Sequence, residues 1–64
     1  MAYITMSRLI TNENNKLANG QITREEYEVF KDNTQNKLDV FMACNRLTLG
    51  QYGDLIAMFV EDDQ

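Results

Sequence analysis

The stretch Leu38-Asp39-Val40-Phe41-Met42-Ala43-Cys44 constrains this chain more than any other. Six of its seven residues are apolar, and only Asp39 is not. Seven residues of α-helix pass almost twice round the axis, so the segment is apolar on nearly every side. Such a helix has to be covered all round, by its own chain or by another copy of it. Little material is on hand for the covering, because the chain has 64 residues, enough for one helical domain over 1–64. A domain near this size buries only about 60% of the surface its unfolded chain exposes, so it is marginal without a staple or a partner. Cys44 is the one cysteine, which rules out an internal disulfide, and no histidine is present to complete a zinc site. Well-capped helices and self-association are the remaining sources of stability. Proline is absent and glycine occurs 3 times, which suits helices joined by tight turns.

The net charge is −4, with only 6 Lys and Arg, scattered along the chain. A nucleic-acid binder is expected to show a basic face, and none is visible. No apolar run approaches the ~20 residues that span a bilayer. The opening Met-Ala-Tyr-Ile-Thr-Met-Ser-Arg has no basic region followed by an apolar core, so it does not read as a secretion signal. The expectation is synthesis in a reducing, intracellular compartment.

The periodicity predicts three helices, at about 3–19, 24–44 and 49–60, and hence an all-α three-helix domain. In the first, Tyr3, Met6, Leu9, Ile10 and Leu17 fall on one side at spacings of three and four. The run Thr11 to Asn15 has low helix propensity, and Glu13 or Asn14 stands where the apolar stripe should continue. Gly20 fits the left-handed position just past the helix end. The second helix has a clear start. Thr23 as N-cap and Glu26 three residues on can form a capping box, and Ile22 and Tyr27 hold the two places of a hydrophobic staple. Its apolar face runs Tyr27, Phe30, Leu38, Phe41, Met42, with Thr34 filling one step. The polar patch Lys31 to Lys37 could be a loop. Its lack of Gly and Pro, and the unbroken helical phase of its flanks, favour one continuous helix. A second turn follows, with Asn45 in the left-handed position, Thr48 and Gln51 as cap and box partner, and Leu47 and Tyr52 as staple. The third helix carries Tyr52, Leu55, Ile56, Phe59 and Val60 on one face. Glu61-Asp62-Asp63 would place negative charge at the negative end of its dipole, and fraying is expected there.

The two turns match at an offset of 25 (42 − 17). Ala18/Ala43, Thr23/Thr48 and Tyr27/Tyr52 are identical, and Gly20/Asn45, Ile22/Leu47 and Glu26/Gln51 are physically equivalent. Either two corners converged on the same good chemistry or a helix-turn unit was duplicated. Both readings predict similar turn geometry and a chain that folds back twice.

Leu17-Ala-Asn-Gly-Gln-Ile-Thr-Arg-Glu-Glu-Tyr resembles the short C-terminal domain (SHOCT) pattern. Asn36 to Tyr52 is similar to the tails of small proteins encoded among phage and prophage tail and lysis genes, XkdX-like ones included. The two likenesses together cover roughly half of the chain, between Leu17 and Tyr52. The phage likeness implies a helical, non-enzymatic accessory or assembly protein, located in the bacterial cytoplasm or on the virion. The SHOCT likeness implies an oligomerisation or interaction module. Leu49-Gly50 before Gln51 departs from the usual acidic pair.

Chemistry-bearing side chains read mostly as structure. Cys44 has no histidine to activate it and is expected to be a buried structural cysteine. Glu25, Glu26 and Glu28 fan round a helix start, where the dipole favours acids, so capping outweighs a metal or acid–base cluster. Glu61-Asp62-Asp63 lacks the alternating ligands and glycine of a calcium loop. Met6, Met42 and Met58 with Phe41 and Phe59 read as core or as an adaptable binding surface. Tyr27 and Tyr52 read as staples with packed rings and hydroxyls at the rim. No cofactor and no catalytic residue is assigned. The expected function is non-enzymatic, helix-mediated association, with itself as a homo-oligomer and with a phage or host protein. Leu38, Phe41, Met42, Leu55 and Phe59 are its candidate interface. The alternative is a small acidic inhibitor of a host or phage enzyme, although Arg24, Lys31, Lys37 and Arg46 dilute any acidic face. A small enzyme is the third and weakest reading, since no set of polar side chains converges.

Overall fold

In the computed structural model of the chain, residues 2–60 are described. They form α1 (Ala2–Ala18), α2 (Arg24–Ala43) and α3 (Leu49–Met58). Among these residues there is no strand, and the all-α, three-helix reading holds. Asn14 near the end of α1 and Arg24 at the start of α2 both bond the backbone just at or beyond the end of α3. The chain therefore runs out along α1, back along α2 and out again along α3.

Both turns use the same devices. At the first, Gly20 has φ +74°, its N–H donates to the Leu17 carbonyl, and the Gln21 N–H donates to that of Lys16. At the second, Asn45 has φ +61°, its N–H donates to the Met42 carbonyl, and the Arg46 N–H donates to that of Phe41. Each is a Schellman closure, which gives two otherwise orphaned carbonyls a partner. Thr23 and Thr48 then share one N-cap conformation, φ −82° and ψ 165°, and each completes a full capping box, with Glu26 and Gln51. The expected similarity of the turns is thus a geometric fact. Thr23→Ala and Thr48→Ala should each cost about 1 kcal/mol in urea unfolding, since each strands one helix-start N–H.

Glycine is needed at only one of its three positions. Gly20→Ala forces a Cβ into the left-handed region, a loss of roughly 1–2 kcal/mol. Gly53 is different, because it is helical and an added Cβ would meet nothing within 4 Å. Gly53→Ala is expected to stabilise the chain by up to about 1 kcal/mol. Opposite signs for the two variants in thermal melts are the outcome to look for.

The core contains Met6, Ile10, Tyr27, Leu38, Leu47, Leu55 and Phe59, with Ile22, Phe30, Phe41, Met42 and Tyr52 packed on it. Thr34 is the buried polar residue, at the step between Phe30 and Leu38. The polar patch Lys31 to Lys37 lies inside α2, so that helix is continuous. Helix α1 also runs unbroken through Thr11–Asn15, despite the low propensity of that run. Met6 and Ile10 supply the burial that holds it, and packing overrides propensity.

Helix α3 ends at Met58 and not at residue 60, because Phe59 turns to φ −65° and ψ 139°. Fraying at Glu61-Asp62-Asp63 falls outside the described residues. Leu9 is partly exposed rather than on the buried stripe of α1. Cys44 is exposed, standing as the C-cap of α2 rather than in the core. The apolar stretch Leu38–Cys44 is covered on one side only. Leu38 is fully buried, Phe41 and Met42 are half-buried, and Val40 is 58% exposed. Helices α1 and α3 reach one face of α2, and water tolerates a lone valine, an alanine and a thiol on the other.

Candidate interaction surface

The end of α3 is held by a polar clasp. The Tyr27 hydroxyl donates to Asn14 Oδ1 and accepts from the Val60 N–H at 2.9 Å. Asn14 Nδ2 donates to the Met58 carbonyl at 2.9 Å, and Arg24 Nη2 to the Val60 carbonyl at 3.0 Å. The Val60 N–H thus bonds Tyr27 in place of a helical carbonyl, while the Phe59 N–H closes on the Ile56 carbonyl at 3.3 Å. These bonds turn Phe59 into the core, 6.3 Å from the Phe30 ring and under Lys31 Nζ at 6.0 Å. Arg24 also lies over the Tyr27 ring at 5.4 Å. Its buried Nε sits 3.2 Å from Glu28 Oε2 without the alignment of a hydrogen bond, so that contact is charge attraction alone. Tyr27 therefore does not hold its hydroxyl at a wet rim. The ring is fully buried and the oxygen is a structural junction.

Tyr52 repeats half of this arrangement. Its hydroxyl donates to Asp39 Oδ1 at 2.7 Å, at the surface. The pair Asn14/Tyr27 maps onto Asp39/Tyr52 at the same offset of 25 (39 − 14 and 52 − 27), so the internal repeat extends to side-chain bonding. That bond to Asp39, then partial burial and the carboxylate charge, raise the Tyr52 pKa above the ordinary 10.0. A raised folded pKa favours the neutral phenol in the fold. The stability it contributes is whole below pH 10 and lost as the pH climbs through the raised value. Tyr52→Phe should lack that part of the alkaline fall in melting temperature.

The five candidate interface residues meet in the chain's own core. Leu38, Leu55 and Phe59 are buried, and Phe41 and Met42 pack against them. Leu38, Leu55 and Phe59 are covered by the chain itself, while Phe41 and Met42 remain half-buried at the edge of the core. Met6, Met42 and Met58 likewise belong to the core and its edge. The caps Thr23, Glu26, Thr48 and Gln51 stand where the sequence places them. Glu26 is spent on capping and Glu28 on Arg24. Among the described residues no three acidic, Cys or His side chains are grouped to hold a metal ion, and no pocket is present. No described helix is long and apolar enough to cross a membrane.

Besides single exposed apolar residues such as Ile4 and Leu49, the fold leaves open the outer face of α2. Val29, Asn33, Asn36, Val40 and Ala43 follow one another at steps of four, three, four and three, and all are exposed. Tyr27, Thr34 and Leu38 point the opposite way, into the core. Val29 is 61% exposed. Glu25, Asp32 and Asp39, at steps of seven, line one flank of this face, and Lys37 stands on the other. Val and Asn are weak helix formers, and the chain's own packing asks for neither here.

Comparison with protein-family models, with characterised proteins and with solved structures returns no match. Fold and surface together define a small three-helix bundle with one long, exposed, mixed apolar and acidic helix face.

Proposed function

We propose that this chain is a non-enzymatic accessory protein, of the phage or prophage kind that Asn36 to Tyr52 resembles, that works by presenting α2 to another protein. The observation that supports this reading is the exposed 4-3-4-3 row on α2, built from residues that do not serve the stability of the isolated chain. Self-association has less behind it than the sequence suggested, because Leu38, Phe41 and Met42 pack on the chain's own core and leave Val40, Ala43 and Cys44 as the exposed apolar part of that stretch. The acidic-inhibitor reading draws on the row Glu25, Asp32, Asp39, at about 10 Å intervals along the helix. Lys37 and the Arg24–Glu28 pair break up that field.

A photo-crosslinking residue at Val40, with a control at Asn12 on α1, tests the association reading in the cells that make the chain. One discrete adduct from Val40, absent from Asn12 and lost in Val29→Glu, is the expected result. Equal labelling from both sites would overturn it.

A further inference from the structure

We infer that the outer face of α2 docks a helix of another protein that carries Lys or Arg along one flank. The inference rests on the association reading above and adds the partner's chemistry to it. Steps of four and three place Val29, Asn33, Asn36, Val40 and Ala43 along one seam, the spacing with which one helix packs its side chains between those of another. Val29 begins the seam and Val40 with Ala43 ends it, so both of its ends are apolar. Asn33 and Asn36 sit at its middle, where buried amides select register and partner at a cost in affinity.

The charges beside the seam choose between partners. Glu25, Asp32 and Asp39 all fall at the same flanking position of successive heptads, and all three are exposed. In a parallel pair of α2 helices each flanking residue would meet the residue five further on in the other copy. Only Asp32 would then find a cation, Lys37; Glu25 and Asp39 would face Phe30 and Cys44. In an antiparallel pair the acidic rows would face each other. Each copy also carries −4 overall. A second copy is therefore a poor occupant. A basic-flanked helix meets all three acids, one of which, Asp39, is already fixed in place by the Tyr52 hydroxyl.

The experiment is an NMR titration of the isotope-labelled full chain with three synthetic amphipathic helices. They share one apolar seam and differ only in having Lys, Gln or Glu on the flank. The expected result is shifts at Val29, Asp32, Asn36 and Val40, strongest with the Lys peptide and weakened by salt. Asp32→Lys should weaken that binding by roughly five-fold or more, with an unchanged melting temperature. Equal binding of the Lys and Gln peptides would overturn the basic-partner inference while leaving the docking face standing. Binding of none of them up to roughly 1 mM would overturn the face itself. Shifts on this face from raising the chain's own concentration would make a second copy the occupant and also overturn the inference.

Discussion

Tyr27→Ala is expected to leave the chain mostly unfolded at 25 °C. Truncating a fully buried aromatic typically costs about 3–5 kcal/mol. A single core in a chain this short supplies no more than about 3–5 kcal/mol in total. Loss of the ring also removes the hydroxyl that joins Asn14 to the Val60 N–H. Tyr27→Phe separates the two contributions. It keeps the packing and strands Asn14 Oδ1 and the Val60 N–H, for a loss of about 1–3 kcal/mol. Urea midpoints by circular dichroism give both numbers. Amide exchange at Val60 should quicken in Tyr27→Phe well before exchange in α1 and α2 does. A Tyr27→Phe chain with wild-type stability and wild-type exchange at Val60 would mean the clasp contributes nothing.

Leu38→Ala and Val40→Ala, two residues apart, should behave as opposites. Leu38 is fully buried, and its truncation should cost about 2–5 kcal/mol, the spread depending on how far the cavity collapses. Val40 stands in water, and its replacement should stay within about 0.5 kcal/mol. The contrast bears directly on the stretch Leu38–Cys44. Comparable losses at both positions would mean that the outer face of α2 is covered after all, by another molecule under the conditions of measurement.

The helices and turns were legible because each carries its own local chemistry. Thr23 with Glu26, Thr48 with Gln51, Gly20 and Asn45 are short-range signals, and no distant contact had to be known to read them. The end of α3 was not legible, since nothing local stops a helix at Met58. Three side chains from α1 and α2 do so, through bonds that span 33 to 44 residues. One trace of the clasp was present. Asn14 interrupts the apolar stripe of α1, and an alignment of the two units begun three residues before Leu17 pairs it with Asp39. The burial of the candidate interface residues was not legible for a related reason. Composition alone shows that Leu38–Cys44 is apolar all round, but which side is covered depends on where α1 and α3 land. Cys44 illustrates the same point, because a residue type that is usually buried here caps a helix at the surface.

One chain covers its own core and keeps the outer face of α2 free. Mass by light scattering on a sizing column, from micromolar to millimolar concentration, tests it most directly. A constant 7.4 kDa is expected, with a melting temperature independent of concentration. A mass that doubles, with a melting temperature that rises alongside it, would mean that a second copy covers this face.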